Sequence, residues 1–258
     1  MSRVYKILLV LIISIVASNA YAVEWTPLQL SLVSPVQVFP EETKVNGIRV
    51  NLIYGVNKGL NGIDYGPVNH TKGVTNGVQA GAFPIGGVNI TEDLNGLQIG
   101  GIFGGVNISK NFNGLQVAGI FGGVNISNGE DNGLQVSGLF GGVNNAGNLD
   151  GAQIGGIWGG VNNAKNLDGV QISGILGGLN MADNLNGVQI AGIFLGINIA
   201  EDTNGIQLAT IYNQANSMSG LQLGLVNNCK KMRGVQIGLV NIIRDNALPF
   251  FPVINASF

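Results

Sequence analysis

The stretch NGLQVAGIFGGVNIS, Asn113 to Ser127, decides how this chain is read, because recognisable copies of it recur from Asn46 almost to the C-terminus. Aligned on the glycine before the glutamine position, the copies start at Gly47, Gly62, Gly77, Gly96, Gly114, Gly133, Gly151, Gly169, Gly187, Gly205, Gly220 and Gly234. Successive starts lie 15, 15, 19, 18, 19, 18, 18, 18, 18, 15 and 14 residues apart, so longer central copies are flanked by shorter ones. A repeat at this spacing identifies an array whose units pack on their neighbours. The expected organisation is a single all-β domain over 23–258, with about twelve repeats from 46 to 243 and a closing strand at each end.

Inside a repeat, Val, Ile, Leu and Phe alternate with Gly, Gln and Asn. A helix would not tolerate four to six glycines at roughly 1 kcal/mol each, so the units read as strands. Segments such as KNFNG, GEDNG and KNLDG read as turns, with Gly114 and its equivalents as left-handed hinges. The apolar positions change parity within the motif. Leu115 and Val117 fall on one face, Ile120, Val124 and Ile126 on the other, and a strand bent at the glycines would bring both sets to one core.

Three columns follow from the alignment. Phe103, Phe121, Phe140, Trp158, Leu176, Phe194 and Tyr212 each lie seven residues after a repeat glycine and should form one stripe, either core or the lining of an apolar channel. Asn57, Asn69, Asn89, Asn107, Asn125, Asn144, Asn162, Asn180, Asn198, Asn213, Asn227 and Asn241 close each motif, and a second amide column runs from Gln79 to Gln236. In-register amides hydrogen-bond along a stack. Arg49 and Asp64 occupy the glutamine position in the first two copies, opposite charges where neighbours are expected.

Strands of an up-and-down barrel would meet different surroundings at alternate turns, yet the turns here are alike from copy to copy. That leaves a ring with one hairpin per repeat or a solenoid with one coil per repeat. An outer-membrane barrel is disfavoured by the aromatic stripe at mid-strand, where two girdles would be expected; its support is the terminal Phe258. The motifs VNGIRVNLIYGVN, NGIDYGPVN, SGLQLGLVNN and RGVQIGLVN, after SPVQVFP, resemble those of exported surface-repeat proteins of bacteria with two membranes, which carry tandem Gly-Leu-Gln-Leu-Gly-Leu-Val-Asn units. The resemblance implies a β-flower, a shallow closed β-barrel ringed by hairpins and compared with tubby-like lipid-binding domains. It brings no catalytic residues. The central copies depart from it by about four inserted residues. The expected fold is therefore the β-flower-like ring, with a β-solenoid or an outer-membrane barrel as alternatives.

Met1–Ala22 has Arg3 and Lys6, an apolar run and an Ala20-Tyr21-Ala22 cleavage pattern, so it is expected to be a secretory signal. Removing it leaves ten basic and fourteen acidic residues, which gives no basic footprint for nucleic acid. Cys229 is the only cysteine and His70 the only histidine, so neither a disulfide nor a histidine-based metal or nucleophile set can be assembled. The pairs Glu92-Asp93, Glu130-Asp131 and Glu201-Asp202 read as solvated turns, and Asn89, Asn107, Asn125 and Asn255 carry glycan-acceptor patterns explained by the repeat itself. The expectation is a non-catalytic envelope protein without cofactors, exported to the periplasm, outer membrane or cell surface, with lipid or envelope components as partners. The alternatives are an integral outer-membrane barrel and a solenoid adhesin or polysaccharide-acting protein.

Overall fold

The computed structural model describes residues 23–258, so the expected signal segment lies outside the described residues. The chain forms β1 (Trp25–Val33), β2 (Val36–Gln37), β3 (Lys44–Asn57), β4 (Gly59–Tyr65), β5 (Val68–Ala80), β6 (Val88–Ile99), β7 (Val106–Val117) and β8 (Val124–Ser127). It continues through β9 (Glu130–Val136), β10 (Val143–Ile154), β11 (Val161–Ser173), β12 (Gly177–Ala191), β13 (Leu195–Ala209), β14 (Tyr212–Leu223), β15 (Val226–Ile243) and β16 (Phe250–Ser257).

From β3 to β15 each repeat pairs in parallel with the next, equivalent residue on equivalent residue. Asn107, Gly114 and Gln116 of β7, for example, face Asn89, Gly96 and Gln98 of β6. Parallel neighbours need a crossover, and the remainder of each coil supplies it. The fold is thus a β-solenoid of about twelve coils, which corrects the closed ring of hairpins and equally the outer-membrane barrel. Both of those require antiparallel neighbours and a closed sheet. Here the strand path runs open from β2 to β16, and antiparallel pairing of named strands is confined to the ends, β2 on β1 and β16 on β15.

The repeat glycines are not hairpin hinges. Gly114 sits inside β7 with φ +142°, and a Cβ there would lie 2.1 Å from the carbonyl oxygen of Gly96 on the preceding coil. Close stacking of backbones makes this column glycine.

The parity change resolves in an unexpected direction. Along β7, Asn107, Ser109, Phe112 and Gln116 point inward, whereas Val106, Ile108, Leu115 and Val117 point outward and remain half-buried against their equivalents on adjacent coils. The expectation that both apolar sets share one core is therefore overturned. The space between the two walls of a coil is filled by amides, and an apolar core of Leu94, Phe112, Leu149, Leu167, Leu185 and small alanines survives only toward one edge.

The amides are stable inside because their hydrogen-bonding groups are matched. Asn107 Nδ2 donates to Asn125 Oδ1 at 2.9 Å and to the Val117 carbonyl at 2.9 Å, so it links two coils and staples both walls of its own. Asn125, Asn144, Asn162, Asn180 and Asn198 repeat this pattern, and all six are fully buried. From Asn69 to Asn227 every asparagine rung donates toward the C-terminal coil, and Asn241 ends the column with a bond to the Gly238 carbonyl. The glutamine rungs donate the other way, as in Gln116 Nε2 to Gln98 Oε1 at 2.8 Å.

The ends of the columns differ from the repeats between them. Gln79 Nε2, the last N-terminal glutamine donor, meets Asp64, and Asp64 is neutralised by the fully buried Arg49 through a bidentate ion pair. A column whose donors run toward the N-terminus needs an acceptor there, and Asp64 is that acceptor. The asparagine column begins at Asn51, which donates to Asn69 at 2.7 Å. Asn57 pairs with Thr71, two residues beyond the rung Asn69, and is not a rung.

Candidate functional site

The coil has two unlike edges. Between Ala80 and Arg233 every charged residue lies within the four residues before a repeat glycine, the segment that turns the polar edge. The opposite edge, formed by sequences such as AGIFGG and GGIWGG, carries no charge.

The predicted aromatic stripe runs along this uncharged edge, on the outside. Phe103, Phe121, Phe140 and Trp158 stack at centroid separations of 5.3, 4.9 and 5.9 Å with interplanar angles of at most 16°. Together with Phe194 they are 51–64 % exposed, while Leu176 is half-buried. The stripe is neither core nor channel lining, because the inserted residues of the longer copies push it outward as a ridge. Tyr212 does not belong to it. Its copy lacks the insertion, so Tyr212 pairs with Ile197 and its hydroxyl meets Gln214 and Asn228.

Beside the ridge lies an open apolar groove of about 730 Å³. Ile154, Ile172 and Ile190 form one wall, Ile157, Ile175 and Ile193 the other, and glycines and alanines the floor. The ridge backbone is tied from coil to coil: the Ile120, Phe121, Phe140, Trp158, Leu176 and Ile193 amides donate to carbonyls of the preceding coil at 2.7–3.2 Å. This edge thus joins apolar side chains to a backbone tied to the preceding coil through one or two amides per coil.

The isolated ionisable groups have structural surroundings. His70 is half-buried with Nδ1 3.0 Å from the Tyr54 hydroxyl, and desolvation followed by the nearby Arg49 and Lys72 charges lowers its pKa. Cys229 is buried, which pushes its thiol up to about 11. Glu92 and Asp93 lie on the polar edge, as do Glu201 and Asp202, whereas Asp131 is buried beside the exposed Glu130. Among the described residues no group of three His, Cys, Asp or Glu side chains is placed to hold a metal. Asn89, Asn107, Asn125 and Asn255 are buried and unavailable as glycan acceptors in the folded chain.

These features define a parallel β-solenoid with an amide interior and an amphipathic cross-section. No family model matches the sequence, and neither a curated protein nor a solved structure is significantly similar to it.

Proposed function

We propose that this chain is an exported, non-catalytic solenoid of the cell envelope that lies on a lipid surface through its uncharged edge. The observation that carries the reading is the segregation of charge: fourteen charged residues between Ala80 and Arg233, all before repeat glycines, and none on the ridge. Exposed apolar surface of this continuity marks an interaction site. Lipid is favoured over an aqueous partner because the uncharged edge runs along the stack and the ridge residues Phe103, Phe121, Phe140, Trp158 and Leu176 have their amides bonded within the protein, which lowers the cost of apolar surroundings for the backbone. An element with one apolar and one charged side rests in the interfacial plane. The resemblance of the repeat units to exported surface-repeat proteins supports the export and envelope assignment.

The test uses Trp158 as reporter in a Trp25→Phe background, which leaves one tryptophan. With phosphatidylcholine/phosphatidylglycerol vesicles, its emission should shift to the blue and be quenched by brominated acyl chains. Phe121→Asp/Phe140→Asp should weaken partitioning at least about tenfold, since each buried ring contributes roughly 1.5–3 kcal/mol. A folded protein whose Trp158 emission ignores vesicles, or whose ridge is already covered in a dimer, would overturn the proposal.

A further inference from the structure

The polar edge carries a second groove, on the opposite side from the ridge. Two stretches of about 600 and 620 Å³ share Asn166 and Asp168, so they form one trough along the solenoid axis. Its floor is the buried column of Leu149, Leu167 and Leu185, and its two rails stand on either side of that column. One rail includes Asn148, Asn166 and Asn184, the other Asp168, Asn186 and Asn204.

Each rail is a ladder with unused capacity. Asn166 donates to Asn148 and accepts from Asn184, and Asn186 donates to Asp168 and accepts from Asn204. A side-chain amide has two N–H groups and two lone pairs, so these ladder bonds leave one donor and one acceptor on each of these two side chains lining the trough. Similar pairs recur at the coil spacing of about 4.8 Å. A hydroxyl group is itself both donor and acceptor, and in an extended β-linked glycan each ring advances the chain by about one coil spacing. A peptide strand fits less well, because its hydrogen-bonding groups on one side recur at about twice the 3.3 Å rise. The lining also includes Asp93, Glu130, Asp150, Asp168 and Asp202 against Lys231 and Arg233, which disfavours phosphate and uronate polymers.

We infer that this trough binds an uncharged, extended polysaccharide, its hydroxyls held by the two rails. The site is independent of the lipid-facing edge, and together the two would let one molecule hold a glycan strand against a lipid surface.

Calorimetry of the folded chain with cello- and chito-oligosaccharides should show affinity rising at least about tenfold from disaccharide to hexasaccharide, as successive coils are engaged. Asn148→Leu/Asn166→Leu/Asn184→Leu should weaken hexasaccharide binding at least about tenfold, and if circular dichroism finds that variant unfolded, Asn186→Leu/Asn204→Leu on the other rail should do the same. Phe121→Asp/Phe140→Asp should bind glycan like wild type, which separates this site from the lipid reading. No binding of any uncharged oligosaccharide at millimolar concentration, tighter binding of a polyuronate or heparin, or undiminished binding by folded rail variants would overturn the inference.

Discussion

Asp131 stands in a column that its neighbours fill with apolar side chains, Phe112 on one coil and Leu149 on the next. Its copy has one residue more than the copy before it between the asparagine rung and the repeat glycine, and the strand is interrupted there between β8 and β9. Asp131 Oδ1 accepts from the Phe112 amide at 3.1 Å and from the Ser127 hydroxyl, while the Gly147 amide of the next coil faces the carboxylate and buried Oδ2 has no well-formed hydrogen bond. Burial dominates over these bonds and raises the pKa from 3.8 to about 6. Between those two values the folded state holds a proton that the unfolded state has released, so this group adds stability as pH falls through that window. Above about 6 its charge is a constant cost. Urea unfolding midpoints should therefore rise from pH 7 to pH 5 in wild type relative to Asp131→Asn, which should show a flatter profile. An identical pH slope in the two proteins would place the titration elsewhere. By sequence Glu130-Asp131 reads as a solvated pair, and the extra residue is the signal that separates the exposed Glu130 from the buried Asp131.

At the scale of the strand, the glycine column sets how closely coils approach. Gly114→Ala should cost more than about 2 kcal/mol, combining an unfavourable φ with a contact that backbone would have to yield. Ala152→Gly, on a strand position beside the column, should cost about 1 kcal/mol or less. Equal losses in denaturant titrations would remove the steric argument. The strands, the period, the asparagine and glutamine columns and the Arg49–Asp64 adjacency were legible because in-register stacking writes itself into sequence as identity at a fixed interval. Strand direction was not legible, since a ring of hairpins and a stack of coils both give every repeat the same surroundings. Side-chain direction was misread for a physical reason. Burial by hydrophobicity would send Leu115 and Val117 inward, but Gln116 is bonded to glutamines on both sides and takes the interior instead. Counting from the glycine misplaces Tyr212 because it ignores the residues that short copies lack, and Asn57 imitates a rung through its Gly-Val-Asn ending although Gly55 holds the rung register. Asn51 as first rung was signalled only by Gly55, whose Cβ would collide with the Asn51 side chain.

The whole molecule is a one-dimensional stack, so its energy is close to a sum of coils and their interfaces. Deleting residues 161–178 removes one coil and brings Asn144 opposite Asn180, Gly151 opposite Gly187 and Gln153 opposite Gln189. The shortened chain should fold with an unchanged β signature and a smaller denaturant slope, in proportion to the surface lost. Removing residues 161–170 instead destroys the register and should leave the stack unable to close over the break. Equal tolerance of both deletions, judged by circular dichroism and protease resistance, would contradict the ladder as the organising device. Length also adds little axial charge to the interior of this design. A helix sums its peptide dipoles into about half a charge at each end. Here the asparagine rungs polarise one way and the glutamine rungs the other. The two interior columns offset each other, so added coils build no axial field from the buried amides, while the rail amides, which all donate toward the N-terminal side, face solvent that screens them.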